Sequence, residues 1–341
     1  MAACSWNNPA PDMATLSTTA LDTYLAPLRK FFDQPNVSEI SVNQPGEVWV
    51  EIGGDMSKHS VPEFDFDHLK ALGRLVAQAT DQKISEETPL LSATLPEGYR
   101  IQVVFPPACE PHTVAISIRK QTILNLDLEQ YEAIGAFQNT VVRKEANPVD
   151  KRLRELLNSG AVKDFIREAI LGKKNIIISG GTSTGKTTFL NAALKVVPPT
   201  ERVITCEDAR EIMIPHIENR VHLIASKGGQ GRAQASMQDL IEACLRLRPD
   251  RLMLGELRGK EAFSFLRAVN TGHPGSISTL HADTPELAIE QLILMIMQAG
   301  LGVTREQIKS YVENVINVII QLKRGKRGMR YVSEIYFKES M

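Results

Sequence analysis

The residues with the clearest chemical potential form a glycine-rich segment at 179–190, SGGTSTGKTTFL, directly after the apolar run at 176–178. Gly180, Gly185, Lys186 and Thr187 fit the pattern GxxxxGK[ST], and they have the context that this pattern requires: an apolar strand before it and a helix-forming segment after it. Glycines let successive backbone N–H groups point inward, and the helix adds the positive end of its dipole. The alternative is a glycine-rich turn with a surface lysine. The sequence favours a phosphate cradle.

Two side chains of this cradle have expected partners in a bound nucleotide and its magnesium ion. We expect Lys186 to reach the β and γ phosphates of a nucleotide and the hydroxyl of Thr187 to ligate magnesium, which makes ATP and Mg²⁺ the predicted cofactors. The residues predicted to bind the nucleotide are Gly180, Gly181, Thr182, Ser183, Thr184, Gly185, Lys186, Thr187 and Thr188.

Hydrolysis needs a group that orients or deprotonates water, and acidic residues follow two strands of the same predicted sheet. Glu207, Asp208 and Glu211 follow the run RVITC, and Glu256 ends the run RLMLGE in the place of a Walker B segment. The first cluster is also explained by acids favouring a helix N-terminus. An acid that closes an apolar strand is costly unless it is solvated or used. Glu256 and Glu207 are therefore the predicted catalytic carboxylates.

Gly255 stands where Walker B strands usually carry an aspartate. The magnesium ion must then depend more on Thr187, with Glu207, Glu211 or Glu256 as further ligands, directly or through water.

Two histidines bracket another predicted buried strand, in TGHPGSISTLHAD. His281 is expected at the carboxyl end of that strand, beside the phosphates, where it suits a sensor of the γ-phosphate. Zinc binding is the rival interpretation, but no third ligand has metal-like spacing. His273 is equally well explained as a core or helix-capping histidine.

The elements that must position these residues change character along the chain. From about residue 173, short apolar runs alternate with helix-length segments such as ASMQDLIEACLRLRP, which predicts an α/β fold with an open, mostly parallel sheet. The last segment, NVIIQLKRGKRGMRYVSEIYF, is typical of a hairpin with a basic turn at 323–328. The earlier half carries a helical pattern at 66–80 and short alternating runs, as in a smaller α+β domain.

The predicted domains follow from these changes in pattern. Residues 1–20 are expected to form a disordered leader, 21–138 the N-terminal α+β domain, 139–158 a polar linker and 159–341 the P-loop domain.

Bulk composition excludes several classes of function. Lys and Arg number 39 against 40 Asp and Glu, so no overall field favours nucleic acid, and we expect direct nucleic-acid binding to be weak or absent. The four cysteines are scattered and form no CxxC pair, which argues against structural zinc and fits a reducing compartment. The most apolar window, 287–301, is shorter than the roughly 20 residues of a membrane span.

Four blocks in order, GGTSTGKTT, ITCEDAREI, LRLRPDRLMLGELRGKEAFSFL and TGHPGSISTLHADTP, resemble the Walker A, Asp-box, Walker B and His-box segments of the secretion-superfamily traffic ATPases. SEISVNQPGEVWVE, LPEGYRIQVVFPPA and VAISIRK resemble the N-terminal domain of the VirB-eleven branch, the hexameric ATPases of type IV secretion and conjugation systems. The tetracysteine insertion of many type II secretion and pilus-assembly relatives is absent from the sequence. A glycine before Glu256 is usual in this family.

This resemblance implies a homohexameric ring of subunits with a RecA-like C-terminal domain and one ATP site each, between that domain and the N-terminal domain. The ring would be cytoplasmic and peripherally attached to the inner membrane, with components of a secretion channel as partners. The resemblance also gives Arg100 and Arg119 contacts to the nucleotide phosphates, and arginine suits developing phosphoryl charge. Without the resemblance, either arginine is explained as a solvated strand residue.

Two other classes of function remain open at this point. A RecA-like nucleic-acid motor usually shows clustered basic and aromatic residues, whereas only the KRGKRGMR turn is basic here. A nucleotide-gated scaffold would bind ATP with negligible turnover. Ser183 departs from the glycine that the superfamily often has at this point of the loop, and a non-glycine there limits positive φ angles.

Overall fold

The computed structural model describes residues 13–120, 126–140, 147–226 and 233–339. The chain divides into two units, Met1–Gln121 with Arg232–Gln234, and Thr122–Gly231 with Ala235–Met341. The division therefore falls before residue 138, where the sequence analysis ended the N-terminal domain. We call the two parts the N-terminal unit and the C-terminal unit.

The N-terminal unit contains one six-stranded sheet in which all neighbouring strands are antiparallel, in the order β3-β2-β1-β6-β5-β4. Its elements are α1 (Met13–Leu25), a 3-10 turn (Ala26–Leu28), α2 (Arg29–Phe32), β1 (Val37–Val42), β2 (Glu47–Ile52), β3 (Asp55–Ser60), α3 (Phe66–Ala79), β4 (Leu90–Thr94), β5 (Arg100–Val104) and β6 (Ala115–Arg119).

Helix α3 forms where the 3.6-residue apolar period predicted it. Asp65 caps its first turn by accepting a hydrogen bond from the backbone N–H of His68 at 2.7 Å, and the apolar face, with Leu69, Leu72 and Val76, is buried. The predicted α+β character of this half is confirmed.

Helix α1 differs from the prediction, because it begins inside the segment assigned to a disordered leader. Leu21 and Leu25 on this helix belong to the buried core of the N-terminal unit, and burial of these side chains stabilises the helix. Residues 1–12 lie outside the described residues.

The C-terminal unit contains one seven-stranded sheet in the order β13-β12-β7-β11-β10-β8-β9. Its strands are β7 (Ile176–Gly180), β8 (Val203–Glu207), β9 (Arg220–Ile224), β10 (Arg251–Leu257), β11 (Ile277–Leu280), β12 (Val318–Arg324) and β13 (Arg330–Phe337). Its helices are α4 (Leu128–Ala133), α5 (Pro148–Asn158), α6 (Val162–Leu171), α7 (Lys186–Leu194), α8 (Met237–Arg246), α9 (Glu261–Asn270), α10 (Pro285–Met297) and α11 (Arg305–Val315), and a 3-10 turn (Lys326–Gly328) joins β12 to β13.

Strands β7 to β12 run parallel, and β13 pairs antiparallel with β12. Both faces of the parallel strands are covered, which is why their sequences are continuously apolar rather than alternating. The predicted α/β fold, with a RecA-like P-loop domain and a smaller α+β domain, and the predicted C-terminal hairpin are confirmed. The short edge strand β9 was not predicted.

Helix α5 shows why the linker prediction fails over part of its length. The helix covers residues assigned to the linker, but Leu153 and Leu156 are buried in the core of the C-terminal unit. Its many charged residues lie on the opposite face, and this surface charge made the segment resemble a linker. Residues 141–146 lie outside the described residues.

In the described part of the chain, no helix is long and apolar enough to cross a membrane. Cys109, Cys206 and Cys244 are free and buried, and burial raises the pKa of the Cys109 thiol to about 12. These thiols are therefore packing residues rather than nucleophiles.

Candidate nucleotide site

A cavity of about 410 Å³ opens at the carboxyl ends of the parallel strands. Its walls come from the loop between β7 and α7, the ends of β8, β10 and β11, and the first residue of β13. Parallel α/β sheets bind ligands at this edge because the loops and helix N-termini converge there.

The loop between β7 and α7 depends on close backbone approaches. A Cβ atom at Gly180 would lie 2.5 Å from Thr184 Oγ1 and 2.9 Å from the carbonyl oxygen of Leu322, so only glycine fits. Gly185 has φ +86°, and Ser183 adopts φ +61°. The serine thus takes the left-handed conformation for which glycine is usual, and it holds the predicted loop shape at a cost in strain.

Lys186 lines the cavity and is buried. Its Nζ donates to the carbonyl oxygens of Gly180 at 3.0 Å and Gly181 at 3.4 Å, and it contacts the ring of His281 at 3.3 Å. Burial lowers the pKa of Lys186, the Glu256 carboxylate opposes this shift and Arg258 adds to it. A phosphate anion in the cavity would favour the charged form and would replace weak neutral acceptors.

Glu256 and His281 meet beside Lys186, as the sequence predicted. His281 Nε2 lies 2.8 Å from Glu256 Oε1. Lys186 Nζ lies 3.3 Å from both ring nitrogens and can only donate, so the neutral tautomer that suits both neighbours carries its proton on Nε2, which donates to the carboxylate, and accepts at Nδ1. The three side chains form one hydrogen-bonded group in the cavity.

Arg258 completes this group, and the sequence analysis did not identify it. Its guanidinium pairs with both Glu256 and Asp208, although 60% of its side chain is exposed. The signal was present, because residues two apart in a strand share a face, and Arg258 follows Glu256 by two.

Glu207 is buried, and both of its oxygens accept hydrogen bonds. Oε2 accepts from the backbone N–H groups of Glu211 and Ile212, each at 2.7 Å, and Oε1 accepts from Thr205 Oγ1 at 2.9 Å. Burial raises the pKa of Glu207, and these hydrogen bonds oppose the rise. The carboxylate anchors the segment that carries Glu211.

Behind Glu207 lies a hydrogen-bond chain whose polarity is fixed. Arg210 can only donate, so Nε2 of His222 accepts at 2.7 Å; burial lowers the pKa of His222 to about 3, and the neutral ring then donates from Nδ1 to Thr205 Oγ1 at 2.8 Å. Thr205 in turn donates to Glu207. No feature of the sequence linked Arg210 and His222 to Glu207.

Two of the predicted metal ligands, Thr187 and Glu211, meet at one wall of the cavity. Thr187 Oγ1 donates to Glu211 Oε2 at 3.1 Å, and Asn191 holds the Glu211 backbone carbonyl at 2.9 Å. Among the described residues, no group of three or more His, Cys, Asp or Glu side chains could hold a metal ion. One hydroxyl and one carboxylate suit a magnesium ion that takes its other ligands from phosphates and water.

The two predicted arginines lie in the N-terminal unit. Arg100 and Arg119 are register partners on β5 and β6, and Arg119 Nε donates to the buried Glu39 at 3.2 Å. His273 bonds to the carbonyl oxygen of Ala268 at 3.2 Å, near the end of α9, as a helix-capping residue does.

The family model described as "Type II/IV secretion system protein" matches residues 22–329. The chain is 36% identical to the "Type IV secretion system protein VirB11" of Brucella suis over 335 residues, which cover 96% of this chain and 93% of that protein. It is 36% identical to PtlH of Bordetella pertussis, with 98% of this chain and 99% of that protein covered.

The structural comparison agrees. The crystal structure of the Brucella suis VirB11 ATPase in complex with sulphate matches with a TM-score of 0.90 and 35% identity, and 95% of this chain and 96% of that chain are covered. Matches of this extent span the cavity, the sheet that carries it and the N-terminal unit. The chain belongs to the type II/IV secretion system protein family, within which it is a VirB11-type traffic ATPase.

Proposed function

We propose that the cavity of the C-terminal unit is the ATP site and that hydrolysis there drives substrate translocation or pilus assembly in a type IV secretion system. The observation that carries the proposal is the hydrogen-bonded group of Lys186, His281 and Glu256 beside the phosphate loop. Two relatives are named as type IV secretion system proteins, and they align over nearly the whole chain.

Binding of the nucleotide rests on the loop and on Lys186. The first N–H groups of α7 have no partner within the helix, and residues 185–188 line the cavity, so this helix start favours an anion there. Lys186 already reaches across the loop to two carbonyl groups, and phosphate oxygens offer it a stronger, charged partner. Residues 180–188 thus cradle the phosphates.

Glu256 is the proposed group that takes the proton from water. Its side chain is mostly buried, it lies one hydrogen bond from His281, and it opens on the same cavity as Lys186. His281, between the lysine and the glutamate, connects phosphate contact to the position of the carboxylate. This arrangement suits a sensor of the γ-phosphate.

Mg²⁺, when bound with the nucleotide, would neutralise phosphate charge and polarise the phosphoryl group. Thr187 and Glu211 are the residues that would hold it. Glu207 would act one step behind them, because its oxygens are engaged by the backbone of residues 211 and 212.

The proposed assembly follows from the family to which the chain belongs. We propose a homohexamer that is cytoplasmic, peripherally attached to the inner membrane and bound to channel components, with Arg100 and Arg119 contacting the nucleotide. Arg119 offers its terminal guanidinium nitrogens for this, because the buried Glu39 engages its Nε.

Three variants test the proposal. Lys186→Ala should lose ATP hydrolysis by roughly a hundredfold or more, because one preorganised cation contributes on that order to phosphoryl transfer. Glu256→Gln should bind ATP but not hydrolyse it. The matched control is Lys195→Ala, an exposed lysine at the other end of α7, which should keep normal activity.

Complementation of a deletion strain completes the experiment. A motor loses conjugation, effector delivery and pilus production together with hydrolysis in Lys186→Ala and Glu256→Gln. Full complementation by Glu256→Gln would indicate the nucleotide-gated scaffold, and equal ATPase rates in wild type and Lys186→Ala would reject the site.

A further inference from the structure

We propose that Arg330, in the C-terminal hairpin, is a phosphate-binding residue of the nucleotide site. This inference rests on the proposed function of the cavity and adds to it a residue that lies 144 positions after Lys186 in the chain. Arg330 is the last residue of the basic segment KRGKRGMR, which the sequence did not link to the nucleotide.

Sheet topology brings the hairpin to the phosphate loop. Strand β12 runs parallel to β7 with Leu322 opposite Gly180, so it passes the start of the loop and continues beyond it to Arg324. Strand β13 returns with Arg330 opposite Arg324. The turn of the hairpin therefore lies past the carboxyl edge of the sheet, on the side of the cavity.

The stem of Arg330 lies against Gly185. A Cβ atom placed on Gly185 would be 2.7 Å from Arg330 Cδ, 3.4 Å from Nε and 3.6 Å from Nη1. The glycine thus serves a positive φ angle and also leaves space for this side chain. Because Gly185 immediately precedes α7, the guanidinium lies at the positive end of that helix, where an anion binds best.

The charge of Arg330 has no partner among the residues that the structure describes. The other arginine of the cavity, Arg258, forms ion pairs with Glu256 and Asp208, whereas the guanidinium of Arg330 makes neither an ion pair nor a hydrogen bond to any described residue. Its register partner, Arg324, is a second cation, and like charges opposite each other in a sheet are unfavourable. A phosphate group at Arg330 would supply the missing partner and reduce the repulsion between Arg330 and Arg324.

Arg330 is expected to bind phosphates that ATP and ADP share. Glu256 and His281 lie at the side of the cavity where hydrolysis is proposed, and Arg330 approaches from the loop and α7. Such a contact stabilises ground state and transition state alike, so its loss raises KM and the Kd of ADP while kcat changes little.

The test measures ADP and ATP binding to the full-length protein by calorimetry, together with steady-state kinetics. Arg330→Gln keeps a long stem against Gly185 but removes the charge, and Arg330→Lys keeps a charge without the planar fork. Lys323→Ala is the matched control, because it removes an exposed cation of the same hairpin that does not line the cavity. Lys186→Ala serves as the reference for loss of the site.

We expect Arg330→Gln to weaken ADP and ATP binding about tenfold, with kcat within about twofold of wild type and a smaller dependence of affinity on salt. Arg330→Lys should retain part of the affinity, and Lys323→Ala should bind normally. Wild-type ADP affinity in Arg330→Gln would overturn the inference, provided that Lys186→Ala has lost it. If Lys186→Ala also binds ADP normally, the proposed site itself is wrong, so the two failures are distinguishable.

Discussion

Strand β10 carries arginine–carboxylate chemistry at both of its ends, and the two ends use it differently. At the amino end, Arg251 is fully buried, pairs with Glu201 through Nη2 at 3.0 Å and donates from Nη1 to the carbonyl oxygen of Ile170 at 2.8 Å. At the carboxyl end, Arg258 pairs with Glu256 and Asp208 but is 60% exposed. Both ends pair an arginine with carboxylates, but the guanidinium at the amino end is buried and also bonded to backbone, whereas the one at the carboxyl end is exposed to solvent.

The amino edge of the sheet repeats this closed arrangement on the neighbouring strand. Arg202, directly before β8, is also fully buried; its Nε donates to the carbonyl oxygen of Leu247 at 2.9 Å, and Nη1 donates to Asn219. The Arg202 and Arg251 side chains are both fully buried, so solvent does not reach either guanidinium group. The amino edge holds the strands together, and the carboxyl edge presents charges that a ligand can rearrange.

The largest effect on stability is expected from removing the buried arginine at the amino end of β10. Arg251→Met removes the partner of Glu201 and two donors to backbone carbonyl groups, so the free energy of unfolding should fall by about 3 kcal/mol. Lys173 lies 3.8 Å from Glu201 and compensates in part. Thermal or urea unfolding measures the change, while ADP affinity of the folded protein should stay normal. A stable Arg251→Met protein would show that the two ends of β10 do not differ in this way.

At the exposed carboxyl end of β10, we expect a large effect on catalysis and a small effect on stability. Arg258→Met should lower kcat about tenfold, because Glu256 loses the group that orients it, while exposure limits the loss of stability to less than about 1 kcal/mol. Steady-state ATPase assays and unfolding curves on the same preparations measure both effects. An unfolding loss as large as that of Arg251→Met would contradict the comparison.

The pH dependence of nucleotide binding tests the electrostatic effect of Arg258 at the carboxyl end of β10. Burial lowers the pKa of Lys186, so this amine loses its proton at a lower pH than an ordinary lysine, and the affinity for ADP should fall as the pH rises through that lowered value. Calorimetry between about pH 7 and pH 10 follows the loss. Because Arg258 contributes to the shift, Arg258→Met should move the loss to higher pH. An unchanged profile would mean that Arg258 does not act on Lys186.

The smallest effect concerns strain at the open end. Ser183→Gly should raise the free energy of unfolding by about 1 kcal/mol, because glycine takes φ +61° without the cost that a side chain incurs. Thr182→Gly, at the exposed neighbour without a positive φ, should instead lower stability slightly. Denaturant unfolding of the two variants gives the comparison. A loss of stability in both variants would show that the backbone at Ser183 is not strained.

Much of this edge was predictable from the sequence. The GxxxxGK[ST] pattern identified the loop, and the continuous apolar runs predicted the parallel strands that carry Glu256 and His281 to it. These signals are local, since each depends on residues that are neighbours in one strand, turn or helix. The linker assignment covered part of α5 for the same reason, because a charged amphipathic helix resembles a linker when its buried face has no visible partner.

By itself, the sequence determined the fold class, the phosphate loop and the carboxylate and histidine that follow the strands, because backbone requirements and apolar periodicity are written in consecutive residues. Only the tertiary structure decided which charges are satisfied. It gave Arg258 two carboxylates, occupied Glu207 with backbone N–H groups and left Arg330 facing the loop. Pairing and burial depend on strand order and on contacts between distant segments, and these set the solvent access that separates a structural ion pair from a binding site.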